Sequence, residues 1–388
     1  MQFSRRTVLA GAAMAGALPA VATATATAKG TSRFAGVVSA CETAVANGGS
    51  PGVAVAVGRA GTIEFARGYG LANLETKTPV TDRSIFRIGS LTKQFSAAAM
   101  IKLAAAGRVD LDAPASRYLP VFAAHPAFTL LELLNHTAGL HSDEGDEAAG
   151  DTPPRQSQID LAAAVAKQAT VFDFAPGTAW LYSNANYFVA GAVIEKVTGK
   201  PFAAALHELV LAPLALTMTG GDDPAQIVPG RASGYAPTGE AAAPFLNAGY
   251  MDVAASGGAG CLRSSVADLC RWHHLLLSGA LFPQRYVDLM LRPGKLRDGR
   301  VSGANRFSPN DANYGDVNYA CGLLVSGPSD PNPSILHYGF ISGFSAALQT
   351  YLRDQVTFVA LCNADPNPGL PFRDIRRAVV AGLAPTAR

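Results

Sequence analysis

Residues 86–95 read Phe86-Arg-Ile-Gly-Ser90-Leu-Thr-Lys93-Gln-Phe95, and the rest of the chain is organised around this stretch. Ser90 and Lys93 lie three residues apart. The residues that follow, Gln94 to Ala106, carry apolar side chains at helical spacing with no Pro or Gly until Gly107. This pattern predicts that Ser90 lies at the start of a helix, with Lys93 about one turn above it on the same face.

That arrangement suits a serine nucleophile. A hydroxyl is nearly inert at neutral pH and must lose its proton to a neighbouring base as it attacks. The N-terminus of a helix supplies partial positive charge and unpaired N–H groups, which stabilise an oxyanion. A lone S-x-x-K is more often an N-cap serine followed by a surface lysine, so the interpretation depends on motifs elsewhere in the chain.

Composition excludes several classes of protein. The 388 residues are 49% hydrophobic and 15% charged, which predicts two domains or one large two-part domain with a sizeable core. The chain carries 31 basic and 29 acidic residues, and Arg5 and Arg6 are the only charged residues before Lys29, so the remainder has no net charge. We therefore expect neither nucleic acid nor an anionic membrane as a partner, and no stretch predicts a membrane span.

The N-terminus is typical of an export signal. Paired arginines at positions 5 and 6 precede a weakly apolar Ala/Gly-rich run to Ala22, and Ala26-Thr-Ala28 offers a cleavage site. Residues 1–28 thus resemble a twin-arginine signal, which predicts a periplasmic or secreted protein; the alternative is a retained N-terminal helix.

Cysteine and histidine spacing gives no sign of a metal site. The five cysteines lack a Cys-x-x-Cys motif, and the seven histidines do not cluster at metal-ligand spacing. We expect no metal and no cofactor. In an exported chain the cysteines could form up to two disulfides, whose pairing the sequence leaves open.

The predicted elements favour an α+β fold, an α/β sandwich. Strands occur near both chain ends, beginning with a hairpin through Gly58-Arg-Ala-Gly61, and helical patterns dominate between them. We expect one antiparallel sheet built from both termini with flanking helices (residues about 29–88 and 316–388 of a 29–388 domain) and an inserted helical region (about 89–315). The predicted C-terminal strands are Ala320–Ser326, Ser334–Tyr338, Phe344–Leu352 and Val356–Asn363, and Phe372–Leu383 is a predicted closing helix.

Two segments have simpler explanations than catalysis. Gly48-Gly-Ser50-Pro-Gly52 matches the G-x-S-x-G pattern, but it lies between a predicted helix and a predicted strand, the reverse of a nucleophile elbow. Ser50 is therefore predicted to be a turn residue. The acidic segment His141–Gln158 predicts a solvated surface loop, or alternatively a mobile lid.

Two further triplets support the nucleophile hypothesis. Tyr182-Ser-Asn184 is the only Y-x-N and lies before a predicted helix from Asn186; His337-Tyr-Gly339 is the only H-x-G and lies on a predicted strand. With the S-x-x-K and the stretch Leu134-Asn-His-Thr-Ala-Gly-Leu140, they make the chain resemble the active-site serine hydrolases. That family comprises class C β-lactamases, D-alanyl-D-alanine carboxypeptidases, D-amino-acid peptidases and related esterases, and the resemblance covers about residues 34–381.

The resemblance implies a β-lactamase/transpeptidase-like fold and a role for each motif residue. Ser90 would be the acylated nucleophile, and Lys93 and Tyr182 the proton-relaying pair. Asn184 would bind the substrate amide and the lysine. Gly339 would let substrate backbone lie along an edge strand, and the N–H groups of Ser90 and Phe340 would form the oxyanion hole.

His337 is a predicted substrate-binding residue, and it departs from the pattern of the lactamases proper, which usually carry lysine at this position. Histidine is largely neutral above its usual pKa of about 6.5, so it supplies no fixed charge for a substrate carboxylate. The sequence therefore favours a hydrolase of small-molecule or peptide amides or esters, acting through an acyl-enzyme on D-amino-acid-containing peptides or on esters. The alternatives are a class C-like β-lactamase and a penicillin-binding sensor that acylates without efficient turnover.

Overall fold

The computed structural model describes residues 33–142, 157–308, 317–327 and 329–383. The predicted export signal lies outside these residues, as does most of the acidic segment predicted to be a loop or lid. No helix in the described part of the chain is long and apolar enough to cross a membrane.

Both ends of the chain contribute to one eight-stranded antiparallel sheet, which confirms the predicted fold class. Its strands are β1 (Gly52–Arg59), β2 (Thr62–Asn73), β3 (Thr78–Pro79), β9 (Val317–Tyr319), β10 (Leu324–Ser326), β11 (Ser334–Ile341), β12 (Phe344–Tyr351) and β13 (Val356–Cys362). Their order across the sheet is β3-β2-β1-β13-β12-β11-β10-β9. The N-terminal strands meet the C-terminal ones where β1 pairs with β13, from Val53 opposite Cys362 to Arg59 opposite Val356.

Helices cover both faces of the sheet. The terminal helices α1 (Ala35–Ala46) and α10 (Phe372–Leu383) bury one face against side chains such as Val55 and Phe358. The alternate residues of the same strands, such as Ala56 and Val359, face the larger core under the internal helices. These are α2 (Thr92–Ala105), α3 (Leu130–Leu134), α4 (Gln158–Val165), α5 (Asn184–Thr198), α6 (Phe202–Leu206), α7 (Gly257–Gly260), α8 (Val266–Leu277) and α9 (Gln284–Leu291).

Short strands lie just before and within the predicted helical region, and the sequence pattern did not predict them. They are β4 (Phe86–Arg87), β5 (Gly220–Gly221), β6 (Tyr235–Pro237), β7 (Phe245–Asn247) and β8 (Leu262–Ser264). β8 pairs with both β4 and β5, so it supports the chain just before Ser90. Runs of two or three residues are too short to give a recognisable alternation.

The predicted hairpin and the predicted turn at Ser50 are confirmed. The first hairpin turns at Ala60 and Gly61, both with positive φ, as a type I′ turn requires. Two helix ends follow similar local chemistry, since α5 ends at Gly199 in the left-handed conformation and Thr129 caps α3. Ser50 is a buried turn residue whose hydroxyl donates to the carbonyl of Gly52.

The prediction of one strand over Ala320–Ser326 is wrong. The structure has two strands, β9 and β10, separated by a turn in which Gly322 has a φ of +74°. A Cβ on Gly322 would lie 2.6 Å from the carbonyl oxygen of Lys93, so the turn is set by contact with α2. A contact between residues so distant in sequence leaves no local pattern.

All five cysteines are buried free thiols. Burial raises the pKa of the Cys41, Cys261, Cys270 and Cys321 thiols to about 12, which keeps them protonated.

Gly339 on β11 packs directly against the turn that carries Ser90. A Cβ at this position would lie 2.0 Å from the carbonyl oxygen of Ile88 and 3.3 Å from the backbone nitrogen of Leu91. The structure thus gives a packing reason for this glycine, besides the predicted one that substrate lies along the strand.

We predict that Gly339→Ala lowers the free energy of unfolding by about 1–3 kcal/mol, since the backbone of β11 must move to relieve the overlap. Gly382→Ala is the matched control, because a Cβ there has no atom within 4 Å and α10 tolerates alanine. Urea unfolding of both variants measures the difference. Equal stability of Gly339→Ala and wild type would contradict this packing.

Candidate active site

Ser90 lies in a single 3₁₀ turn, Gly89–Leu91, that leads directly into α2. Gly89 has a φ of +48°, and a Cβ there would lie 2.8 Å from the backbone nitrogen of Phe340. Glycine therefore allows both the turn and the close approach of β11. The Ser90 side chain is half-buried at the start of the helix, as predicted.

Lys93 reaches back to Ser90 from the first turn of α2. Its side chain is fully buried. The Nζ atom lies 3.0 Å from Ser90 Oγ, 2.7 Å from Asn184 Oδ1 and 3.0 Å from the carbonyl oxygen of Ala259. Three parts of the chain therefore meet at one nitrogen atom.

The three oxygens around Lys93 Nζ allow this amine to act as a base. The Asn184 and Ala259 oxygens can only accept hydrogen bonds, whereas the Ser90 hydroxyl can accept or donate. An ammonium group at Lys93 donates to all three oxygens. A neutral amine keeps its two N–H bonds for the two obligate acceptors and directs its lone pair at the Ser90 hydroxyl.

Tyr182 lies beside this amine. It occupies the loop that ends at Ser183, the N-cap of α5, and its ring centroid is 4.8 Å from Lys93 Nζ. Asn184 is the first residue of α5 rather than a loop residue. The structure thus brings the four residues predicted from two triplets, Ser90, Lys93, Tyr182 and Asn184, into one cluster.

A second tyrosine near Lys93 differs from Tyr182. The ring centroid of Tyr187 is 5.6 Å from Lys93 Nζ, but its hydroxyl donates to the carbonyl of Leu134 at 2.8 Å. Burial raises the pKa of Tyr187 well above 10, so this phenol stays protonated. Tyr182, which is only partly buried, is the better candidate for proton transfer.

Phe340 presents its main chain to the turn that carries Ser90, as its contact with Gly89 requires. β10 pairs with β11 at Ile335 and Leu336, and no described strand pairs with that edge beyond Leu336. The predicted roles of Gly339 and Phe340 place an extended substrate along this edge.

His337 is buried, with 4% of its surface exposed. Its Nδ1 donates to the carbonyl of Tyr338 at 2.5 Å, so its Nε2 accepts from the Tyr319 hydroxyl at 2.9 Å. Both ring nitrogens are thus bonded within the protein. The predicted contact between His337 and substrate stays a prediction, and it requires the Tyr319 hydroxyl to give up this bond.

Three contributors to the site were missed from the sequence. The ring of His136 is 4.4 Å from that of Tyr182 and 4.5 Å from that of Tyr319, and the Ala259 carbonyl holds Lys93. His136 could have been found, because it lies in the stretch Leu134–Leu140 that supported the family resemblance. Tyr319 and a backbone carbonyl carry no such signal.

Both histidines of the site are neutral. Burial, followed by the charge on Lys93, lowers the pKa of His337 to about 3. Burial also lowers the pKa of His136 well below 6.5, with smaller contributions from Lys93 and His337. The described residues contain no group of three or more metal-ligating side chains.

Known proteins resemble this chain in sequence and in fold. The family model described as Beta-lactamase matches residues 37–383. The esterase EstB of Burkholderia gladioli is 37% identical over 187 residues, which are 44% of this chain and 46% of EstB. The chain therefore aligns with about half the length of this curated relative.

Solved structures share the whole fold. The D-stereospecific amidohydrolase from Streptomyces sp. is 28% identical, with a TM-score of 0.71 over 90% of this chain and 99% of that one. The D-amino acid amidase from Ochrobactrum anthropi SV3 is 23% identical, with a TM-score of 0.73 over 90% and 99%. At that identity the second likeness concerns the fold alone.

The buried histidines predict acid sensitivity. Besides His136 and His337, burial lowers the pKa of His273 to about 3. Its Nε2 donates to Gln94 Oε1 at 2.8 Å, and its Nδ1 lies 2.7 Å from Thr350 Oγ1. The unfolded chain, with histidine pKa values of about 6.5, binds more protons between pH 6.5 and 3. Stability is therefore complete above about pH 6.5 and falls as the pH is lowered through this range.

We predict that each such histidine contributes a slope of up to about 1.4 kcal/mol per pH unit to the free energy of unfolding. His273→Gln should reduce the slope measured by urea unfolding between pH 6.5 and 4, and His207→Gln, at an exposed position, is the control. An unchanged slope in His273→Gln would show that this ring is protonated in the native state.

Proposed function

This chain belongs to the β-lactamase family of serine hydrolases, and on that premise we propose that it cleaves an amide or ester through an acyl-enzyme on Ser90. The observation that carries the proposal is the position of Lys93 Nζ, which lies 3.0 Å from Ser90 Oγ while Asn184 and Ala259 hold it from the other side. A base within hydrogen-bonding reach is the first requirement for activating a serine.

Acylation uses the cluster as follows. Ser90 Oγ attacks the carbonyl carbon of the substrate, and its proton passes to the Lys93–Tyr182 pair. The oxyanion accepts hydrogen bonds from the N–H groups of Ser90 and Phe340, at the start of α2 and on β11. The pair then returns the proton to the leaving nitrogen or oxygen, the bond breaks, and the acyl group remains on Ser90.

Deacylation repeats these steps with water. The same Lys93–Tyr182 pair takes a proton from a water molecule, which attacks the ester carbon of the acyl-enzyme. Ser90 leaves as an alkoxide and regains a proton from the pair. Because the two groups are coupled, they titrate together and their apparent pKa values belong to the pair.

We propose that the substrate is a D-amino-acid-containing peptide or amide, or a simple ester. Similarity to EstB and to the Streptomyces D-stereospecific amidohydrolase supports this class. The buried, neutral His337 supports it too, since it supplies no fixed positive charge where β-lactamases usually carry lysine. We place the peptide or small molecule along the part of the β11 edge with which no described strand pairs.

Two alternative functions use the same residues. A class C-like β-lactamase would need rapid hydrolysis of a β-lactam acyl-enzyme. A penicillin-binding sensor would acylate once and release slowly. Export through the twin-arginine-like signal stays a prediction, and it would put the substrate in the periplasm or outside the cell.

We predict that Ser90→Ala lowers hydrolysis by about 10³-fold or more, because it removes the nucleophile. A fluorophosphonate probe followed by intact-mass analysis should label wild type once and Ser90→Ala not at all. Ser50→Ala is the matched control, since Ser50 is a serine in a G-x-S-x-G pattern whose hydroxyl donates to Gly52. Labelling of Ser90→Ala, or loss of labelling in Ser50→Ala, would refute Ser90 as nucleophile.

A substrate panel separates the three functions. We predict faster turnover of p-nitrophenyl esters and D-amino-acid amides or D-Ala-D-Ala peptides than of a chromogenic cephalosporin. Fast cephalosporin turnover would instead indicate a β-lactamase. Stoichiometric acylation without turnover of any compound would indicate a sensor.

A further inference from the structure

His136 occupies a strained backbone position beside Tyr182. Its φ is +59°, which is unusual for a residue other than glycine, and its side chain is fully buried. Such a conformation persists only when surrounding contacts hold it in place. The contacts that hold His136 converge on the loop that carries Tyr182.

His136 bonds the residues on both sides of Tyr182. Its carbonyl oxygen accepts from the backbone N–H of Leu181 at 3.2 Å. Its Nδ1 accepts from the backbone N–H of Ser183 at 3.3 Å, and the side-chain amide of Asn186 lies 3.1 Å from the same atom. The imidazole ring packs on the Tyr182 ring between these bonds, at 4.4 Å between centroids.

The bonding pattern requires a neutral ring with its proton on Nε2. If Nδ1 carried a proton, its N–H would point at the Ser183 N–H, and two hydrogen-bond donors would face each other. The titratable groups around the ring are Lys93, His337, Tyr182, Tyr187 and Tyr319. Burial lowers the pKa of His136, and the charge of Lys93 lowers it further, so the neutral ring and this bonding pattern persist across the working pH range.

Resting on the proposed function, we infer that His136 is a positioning residue that fixes Tyr182 against Lys93 for proton transfer. It touches neither substrate nor reacting atoms in this role. Its effect comes through the placement of one ring, and a displacement of about 1 Å in such a group costs on the order of 100-fold in rate.

Two substitutions separate the parts of this contact. His136→Asn keeps an acceptor near the Nδ1 position and tolerates positive φ, whereas His136→Phe keeps a ring and loses the acceptor. Nε2 makes no hydrogen bond within the described protein, so asparagine gives up no bond there. We expect His136→Phe to lower kcat for a p-nitrophenyl ester by about 10- to 100-fold with KM changed less than about threefold. His136→Asn should retain at least a tenth of kcat.

The pH profile distinguishes positioning from general loss of structure. Moving Tyr182 away from Lys93 weakens the coupling between them, so the acidic limb of kcat against pH should shift in His136→Phe. The shift is to higher pH if the base is the Tyr182 phenolate, because Lys93 stabilises the charged form of that group. His207→Phe, at an exposed histidine, should leave kcat and the profile unchanged. Circular dichroism at the assay temperature checks folding, and His136→Ala replaces His136→Phe if the latter does not fold.

A double-mutant cycle with Tyr182→Phe completes the test. If His136 acts through the Tyr182 hydroxyl, His136→Phe has little further effect on kcat in the Tyr182→Phe background. Additive losses, or an unchanged kcat and profile in His136→Phe, would overturn this inference while leaving Ser90 as nucleophile. Activity in Ser90→Ala would overturn the proposed function itself.

Discussion

The buried amine of Lys93 is the constraint on which the rest of the structure depends. A buried polar group is costly unless its hydrogen bonds are made, so Asn184 on α5 and the Ala259 carbonyl on α7 must be held close to α2. Ser96 Oγ donates to the carbonyl of Gly258, and Gln158 Oε1 accepts from the N–H of the same residue. These bonds hold α7 against α2 and α4, so the Ala259 carbonyl stays within hydrogen-bonding distance of Lys93 Nζ.

Burial also keeps the side chains around Lys93 uncharged. His136 and His337 are neutral, and Tyr187 remains a phenol, because water is excluded from their surroundings. Histidine at position 337 therefore makes contacts within the site, besides lacking the charge that a lysine would carry. Its Nε2 accepts from Tyr319, whose ring packs on His136, and His136 in turn packs on Tyr182. The residue that departs from the lactamase pattern thus lies in a chain of contacts that ends at Tyr182.

Local chemistry made much of the fold predictable. The hairpin at Ala60 and Gly61 was predicted because its turn depends on a few neighbouring residues. The turn at Gly322 was missed because its cause, the carbonyl of Lys93, lies more than 200 residues away in the chain. The short strands β4, β5 and β8 were missed because two or three residues give no periodicity.

By itself the sequence determined the family and most elements at the chain ends, and it predicted a serine nucleophile, an amine and a phenol from three short motifs. Only the tertiary structure decided which groups support them. His136, Tyr319 and the Ala259 carbonyl act through contacts between distant segments, and a carbonyl has no side chain for a motif to record. The charge of His337 was also decided there, because its pKa depends on burial and on Lys93, neither of which can be read from its neighbours in sequence.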